Sequence, residues 1–234
     1  MKTTEEDKED SIGSTVLLGH AEPPEGLYTV QSESVQCTVL PCDITLYQGD
    51  CMEILPHLSG VDVVITDPPY KGYDEYGWDY LPLEDLPAWL LDLHGFWCWK
   101  GEDFPLPFTA RHIWSKANRN IGRGAEQYEE IYEVNGKSTG LVFRHAVIDS
   151  EMNAQLNRDE YCDHPCQKPI KLMSKLVTKT KGKIIDPFMG SGGTGLACAK
   201  QRRGFIGIEK DPKHFEIAKE RIERELSQLD LFLA

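Results

Sequence analysis

The tetrapeptide Asp67-Pro68-Pro69-Tyr70 combines three groups that could act on an amino group: a carboxylate, a free carbonyl and an aromatic ring. The Asp67 carboxylate and the Pro68 carbonyl can accept hydrogen bonds from N–H donors, and the Tyr70 ring can stack on a planar base. By itself the stretch could equally be a proline-stiffened loop with a stray acid. A second stretch, later in the chain, favours the chemical interpretation.

Residues 186–195, with the sequence D-P-F-M-G-S-G-G-T-G, lie between a predicted strand and a predicted helix. Glycines let the backbone approach a ligand closely, and the first turn of a helix offers free N–H groups. The next predicted strand ends in Glu209, whose carboxylate could accept both hydroxyl groups of a ribose. The turn alone is a moderate signal, but the turn together with the acid indicates a site for an adenosyl ligand.

These groups need a sheet that brings them to one edge. Val61–Thr66 is rich in β-branched residues, and the two prolines that follow end the strand because neither has an N–H for the ladder. Strands alternate with helical patterns, which predicts an α/β fold with a mostly parallel, doubly wound sheet. The predicted strands are 43–47, 61–66, 95–99, 110–114, 140–143, 183–186 and 205–208, and the predicted helices are 51–58, 81–93, 169–178, 196–201 and a last helix from 211.

Length and composition indicate one domain. We place it at 36–234, after a polar, acidic stretch at 1–35 that we expect to be a disordered tail, and 117–160 is the candidate insertion for target recognition. No apolar run approaches a membrane span and the N-terminus has no signal-peptide core, so we expect a cytoplasmic protein without membrane contact. The seven cysteines include no C-x-x-C pair, which predicts reduced thiols and no metal site.

Charge is distributed unevenly along the chain. The net charge of −13 argues against a protein that coats nucleic acid nonspecifically. Residues 104–125 and 164–185 nevertheless contain no Asp or Glu and carry several Lys and Arg residues. They could form one phosphate-facing surface, with Lys116, Arg119 and Arg123 as candidate contacts, or two solvated faces that never meet.

Together the motifs resemble those of DNA amino-methyltransferases, the family that transfers a methyl group from S-adenosylmethionine to the exocyclic amine of adenine or cytosine. The resemblance is to the circularly permuted beta group, in which D-P-P-Y precedes the D-P-F-x-G-S-G motif. It covers residues 43 to about 225, and the shared order of the motifs makes it specific. The matching stretches are Gly49-Asp50, 67–70, I-W-S-K at 113–116, H-P-C-Q-K-P at 164–169 and 186–195.

The resemblance implies a Rossmann-like methyltransferase fold, a flipped-out adenine in double-stranded DNA as the substrate, and S-adenosylmethionine as the cofactor. Asp67, Pro68, Pro69 and Tyr70 would be catalytic, with Tyr70 stacked on the base. Lys116, Arg119 and Arg123 would bind DNA. The implied cofactor pocket consists of Asp50, His164, Gln167, Lys168, Asp186, Phe188, Gly190, Ser191, Gly192 and Glu209.

Several alternatives stay open. Adenine is favoured over cytosine because the motif begins with Asp, whereas cytosine enzymes of this kind more often begin with Ser. The chain departs from the family pattern at Ser115, at the extra Gly193 and in a short segment at 93–113, so an inactive, cofactor-binding DNA module is a further alternative. RNA and protein-glutamine methyltransferases use similar sites but usually carry the cofactor motif first. The family often dimerises, and a homodimer is compatible with this sequence.

Overall fold

The structure is a computed structural model, and it describes residues 28–31, 35–69, 81–100, 103–116, 128–145 and 167–231. Within these residues the strands, numbered along the chain, are β1 (Tyr28–Gln31), β2 (Gln36–Leu40), β3 (Ile44–Gln48), β4 (Val63–Thr66), β5 (His94–Trp99), β6 (Ala110–Lys116), β7 (Tyr128–Val134), β8 (Val142–His145), β9 (Ile184–Asp186) and β10 (Phe205–Glu209). The helices are α1 (Cys51–Ile54), α2 (Ala88–Leu91), α3 (Ile170–Thr178), α4 (Gly193–Lys200) and α5 (Pro212–Leu231), with 3-10 turns at Leu55–His57 and Leu83–Asp85.

The strands form one mixed sheet with the order β1-β2-β3-β10-β9-β4-β5-β7-β6-β8. Its central strands, β3, β10, β9, β4 and β5, run parallel, whereas β1, β2 and β7 pair antiparallel with their neighbours. The carboxyl ends of the parallel strands therefore meet at one edge, where ligands bind in such sheets. The predicted α/β fold with a mostly parallel sheet is confirmed at this level.

Helices cover both faces of the sheet. On one face α3, α4 and α5 bury Leu176, Leu196 and Phe215, respectively, against strand residues such as Ile65. On the other, α1 and the segment around α2 pack with Val64, Trp97 and the other residues of a second apolar cluster. All four residues of β4 are buried, which fits the β-branched pattern that predicted it. No helix in the described part of the chain is both long and apolar enough to cross a membrane.

The segment 81–93 differs from its prediction as one helix. It contains only a 3-10 turn and the short α2, which begins after Pro87. Pro87 has a ψ of 134°, an extended value, and it has no N–H to continue a helical ladder. Of the apolar face predicted for this helix, Leu86 and Leu90 are buried, and Trp89 and Leu93 are partly buried against the same core.

Two of the predicted boundaries also change. β1 lies inside the stretch predicted as a disordered tail, so that tail does not extend to residue 35, while residues 1–27 lie outside the described residues. β7 and β8 lie inside the predicted insertion 117–160, yet both belong to the main sheet. The second half of β7 is buried at every position between β5 and β6, and for this reason it shows no alternating pattern in the sequence.

Candidate active site

Four acidic residues follow or end neighbouring parallel strands at the same edge of the sheet. Asp67 follows β4, Asp186 ends β9, Glu209 ends β10, and Asp50 follows β3 and caps α1. Parallel pairing places β4 beside β9, β9 beside β10 and β10 beside β3. The residues that were predicted to act together are therefore brought to one edge, as expected from the topology.

The carboxylate of Asp67 has two different environments. Its Oδ2 accepts a hydrogen bond from Lys168 Nζ at 2.6 Å. Its Oδ1 is buried and has no hydrogen-bond partner among the described residues. Burial raises the pKa of Asp67 above its usual value, and the Lys168 ammonium is the strongest influence in the opposite direction. An oxygen in this position can accept a hydrogen bond from an incoming N–H group.

The carboxylate of Asp186 is buried among hydrogen-bond donors of the protein. The Thr66 hydroxyl donates to Oδ1 at 2.7 Å, the Phe188 N–H donates to Oδ1 at 3.1 Å, and the Thr194 hydroxyl donates to Oδ2 at 2.7 Å. The residue is 3% exposed, and burial raises its pKa to about 7. Through these bonds the carboxylate of Asp186 joins β4 to the glycine-rich turn, and its role as a cofactor contact stays a prediction.

The glycine-rich turn is held in a fixed shape by backbone contacts. Gly190 and Gly192 have φ values of 51° and 81°, which favour glycine. The Met189 N–H donates to the Ile208 carbonyl at 2.9 Å, and the Ser191 carbonyl accepts from Arg221 at 2.6 Å. Gly193, the extra residue relative to the family motif, is the first residue of α4 and follows Gly192 as its N-cap. The additional glycine is therefore absorbed at the start of the helix.

Glu209 is connected to the same turn. Its Oε2 accepts from the Gly190 N–H and its Oε1 accepts from the Asp211 N–H, each at 2.8 Å. Burial raises the pKa of Glu209. Asp50 lies at the end of the neighbouring strand, where its Oδ1 accepts from the Met52 N–H at 2.9 Å and its Oδ2 lies 3.3 Å from Lys210 Nζ. Both carboxylates are thereby fixed in orientation at the edge where an adenosyl ligand was predicted.

The two predicted lysines lie elsewhere than expected. Lys168, predicted in the cofactor pocket, directs its ammonium to Asp67, and its backbone carbonyl lies near the turn at Gly193. Lys116, predicted as a DNA contact, is 5% exposed and forms an ion pair with Glu129. An ammonium that is buried and paired in this way does not form part of a phosphate-facing surface.

The remaining predicted site residues divide into two groups. Within the described chain, Pro68, Gln167 and Ser191 are buried, and Pro69 and Phe188 are half-buried beside the residues above. The others lie outside the described residues: Tyr70, His164, Arg119 and Arg123. Glu129, Thr66 and Thr194 were not predicted. Thr66 precedes the first motif and Thr194 lies within the second, so both could have been suspected, whereas nothing in the local pattern distinguishes Glu129 from its acidic neighbour Glu130.

Comparison with known proteins identifies the family. A family model described as DNA methylase, of the N6/N4 type, matches residues 94–220, which is more than half of the chain. The chain belongs to this DNA methylase family. The type II methyltransferase M2.MboI of Moraxella bovis is 22% identical over 245 residues, covering 76% of this chain and 87% of that enzyme. M2.DpnII of Streptococcus pneumoniae is 42% identical over 121 residues, covering 50% of this chain and 43% of that enzyme.

Solved structures agree with the methylase fold. The M1.HpyAVI–SAM complex matches with a TM-score of 0.53 and 24% identity, covering 76% of this chain and 98% of that one. The PvuII DNA methyltransferase, described as cytosine-N4-specific, matches with a TM-score of 0.51 and 15% identity, covering 80% of this chain and 91% of that one. At these identities the similarity concerns the fold.

The methylase family uses S-adenosylmethionine as its methyl donor. The residues at the sheet edge fit that ligand, because fixed carboxylates can accept hydrogen bonds from ribose hydroxyls and attract a positively charged sulfonium. Glu209 and Asp50 provide these carboxylates beside a turn whose glycines leave room for a ligand. When bound, the cofactor supplies an electrophilic methyl group.

Proposed function

We propose that this methylase transfers a methyl group to the exocyclic amino group of adenine in double-stranded DNA. The observation that carries the proposal is the free, buried Oδ1 of Asp67 at the carboxyl edge of the sheet. An exocyclic amine has two N–H groups, and a carboxylate oxygen that accepts one of them directs the nitrogen lone pair away from the ring. Family membership and the neighbouring glycine-rich turn support the same reaction.

The proposed reaction is a direct displacement aided mainly by positioning. The target nitrogen forms a bond to the methyl carbon while the carbon–sulfur bond breaks, and the nitrogen then releases one proton to solvent. Asp67 Oδ1 and the Pro68 carbonyl would accept the two N–H bonds of the amine, and Tyr70 would stack on the base. The base must leave the duplex to reach this edge, at a cost of a few kcal/mol.

We also propose the permuted beta arrangement for this chain. The catalytic strand β4 precedes the cofactor strand β9 along the chain, although the two strands are neighbours in the sheet. This order supports the proposal and speaks against the RNA and protein-glutamine methyltransferases, which usually carry the cofactor motif first. The choice of adenine over cytosine depends on Asp67, the acid that begins the motif.

The proposal is tested by expressing the chain in a bacterial host without DNA methyltransferases and analysing the nucleosides of the host DNA by mass spectrometry. We expect N6-methyladenine with the wild type and with Asp85→Ala, an exposed control. Asp67→Ala should abolish the signal but retain S-adenosylmethionine binding in calorimetry, because the lost interaction orients the nucleophile. N4-methylcytosine would instead select the cytosine alternative. No modified base with a folded, cofactor-binding wild type would favour the inactive module.

A further inference from the structure

Asp67 is the first member of a buried chain of alternating charges. Lys168 Nζ lies 2.6 Å from Asp67 Oδ2 and 3.3 Å from Glu129 Oε2, and Glu129 Oε1 lies 2.5 Å from Lys116 Nζ. The side chains are 23% exposed for Asp67, 8% for Lys168, 11% for Glu129 and 5% for Lys116. We call these four residues the ion network. It joins the residue that follows β4, a residue two positions before α3, the start of β7 and the end of β6.

The geometry explains why Lys168 leaves one oxygen of Asp67 open. An ammonium is a compact charge with three donors on a flexible stem, so that beside a lone carboxylate it can move between the two oxygens. Here Glu129 Oε2 lies 3.3 Å from Lys168 Nζ and is itself buried without a hydrogen-bond partner among the described residues, so its charge attracts the ammonium and keeps it at Asp67 Oδ2. Glu129 is itself fixed by Lys116. Burial acts to raise the pKa of Glu129. Lys168 and Lys116 nevertheless hold this pKa below its usual value, so Glu129 remains charged.

We infer that Glu129 is a positioning residue for methyl transfer, which holds the Lys168 ammonium at Asp67 Oδ2 so that Oδ1 stays open for the target amine. Lys116 anchors Glu129 in this arrangement. The inference rests on the proposed function, since it assigns a role in the same reaction. It also gives Lys168 and Lys116 a role within the catalytic centre instead of in the cofactor pocket or on the DNA-facing surface.

Several charged or titratable groups face Asp67, and they fix the direction of any pH effect. Lys168 and Lys116 lower the pKa of Asp67, whereas Glu129 raises it. Cys98 on β5 and Asp186 on β9 also lie close enough to interact with Asp67, and burial raises the pKa of both groups. Removing Glu129 therefore changes the pKa of Asp67 in the opposite direction from removing Lys168.

The test compares single-turnover methylation rates across pH for Glu129→Gln, Lys168→Met and the wild type, with saturating DNA and cofactor. Glu129→Gln should lower the methylation rate about 10- to 100-fold, the same range as for residues that orient the ligands of a metal site without contacting the metal. The cofactor affinity should change less than about twofold. The acid limb of the pH–rate profile of Glu129→Gln should move to lower pH, because Asp67 loses a negatively charged neighbour. The acid limb of Lys168→Met should move to higher pH. General loss of structure would not shift the two variants in opposite directions.

Glu130→Gln is the matched control, since Glu130 is the next residue on β7 but pairs with Arg111 at 3.2 Å, outside the ion network. It should keep the wild-type rate and pH profile. The inference is overturned if Glu129→Gln behaves like Glu130→Gln or if its acid limb moves upward. Should Glu129→Gln fail to fold, Lys116→Met gives a second reading, because it should move the acid limb to higher pH, and an unchanged limb overturns the inference. A wild type that methylates no DNA would instead contradict the proposed function.

Discussion

The carboxylate of Asp186 accepts hydrogen bonds from the protein's own donors. Three donors surround it, and the two threonine hydroxyls come from β4 and from the first turn of α4. A buried carboxyl in this position links the shape of the glycine-rich turn to the place where Asp67 leaves the sheet. The link has a thermodynamic consequence that can be measured, because burial raises the pKa of Asp186 to about 7.

Asp186 should make the protein less stable as pH rises. The unfolded chain releases this proton near pH ~4, whereas the folded chain retains it until about pH 7, so folding binds a proton between these values. Between about pH 5 and 6 the wild type should lose up to about 1.4 kcal/mol of unfolding free energy per pH unit more than Asp186→Asn. Urea denaturation at several pH values measures the difference, and parallel curves would show that Asp186 does not titrate in this range.

Glu209 is expected to contribute to cofactor affinity in two ways. Its carboxylate can accept ribose hydroxyls, and it also holds the Gly190 N–H of the turn. Glu209→Ala should weaken S-adenosylmethionine binding by about 1.5–3 kcal/mol, the range for hydrogen bonds to a charged group, and Glu209→Gln should lose less because it keeps one acceptor oxygen. Calorimetry checks both variants against Glu216→Ala on exposed helix surface. Unchanged affinity in a folded Glu209→Ala would remove Glu209 from the site.

Residues at the ends of strands were the ones that the sequence could predict. Asp67, Asp186 and Glu209 each follow or end a recognisable apolar run, and parallel pairing then brings them together. Glu129 could not be predicted, because its position depends on β7 entering the sheet between β5 and β6. The orientation of Lys168 depends in turn on Glu129. The positions of Glu129 and Lys168 thus depend on long-range strand pairing, which local sequence patterns do not reveal.

At the scale of elements, the turn between β9 and α4 depends on two adjacent glycines with different requirements. Gly192 has a φ of 81°, and a Cβ there would lie 2.8 Å from the Ala218 Cβ on α5. Gly193 is helical, and a Cβ there would make only ordinary contacts, the nearest at 3.8 Å from the Lys168 carbonyl oxygen. The two positions therefore differ in both backbone strain and packing.

Gly192→Ala should destabilise the protein, by about 1–3 kcal/mol from the left-handed backbone alone, with the contact to α5 adding to this. Gly193→Ala should be neutral or slightly stabilising, since alanine favours a helix over glycine. Thermal unfolding of the two variants side by side measures the difference. Equal losses of stability in Gly192→Ala and Gly193→Ala would mean that the turn has a different conformation from the one described.

Elements also show where local patterns were sufficient. α3 and α5 have long apolar faces and were predicted within about a turn, because packing on the sheet follows the same spacing. The helix predicted at 81–93 was wrong, since Pro87 interrupts it although its leucines are buried. Apolar spacing thus located the core residues but did not by itself determine the type of element that carries them.

For the molecule as a whole, the basic segment 164–185 does not form one surface. α3 begins beside the catalytic edge, where Lys168 contacts Asp67. Lys183 lies at the start of β9, at the opposite edge, and pairs with Asp43 at 2.6 Å. The exposed Lys171 and Lys179 lie between them, about 12 Å apart along the helix axis. If DNA binds at the carboxyl edge of the sheet, as proposed, only the first part of this segment lies on the same side.

DNA affinity should accordingly respond to Lys171 more than to Lys179. Each phosphate contact contributes about 0.9 to the slope of log affinity against log salt concentration. Lys171→Ala should reduce the slope by about this amount, as should removal of Arg119 or Arg123 if these side chains contact phosphates, whereas Lys179→Ala should leave it unchanged. Fluorescence anisotropy with a labelled duplex at several salt concentrations measures the slopes. An effect of Lys179→Ala equal to that of Lys171→Ala would contradict this orientation of α3.

The sheet order has a consequence for how the chain is made. β9 and β10 follow the other described strands along the chain and yet lie between β3 and β4, so that they join two parts of the sheet that are synthesised earlier. Until then the nascent chain has unpaired strand edges at β3 and β4, the kind of edge that favours aggregation. The glycine-rich turn and Asp67 meet only in this final step, which joins distant parts of the chain and is therefore slow. The proposed site is therefore complete only after β9 and β10 have been synthesised, and chaperones that cover strand edges should improve the yield of folded protein.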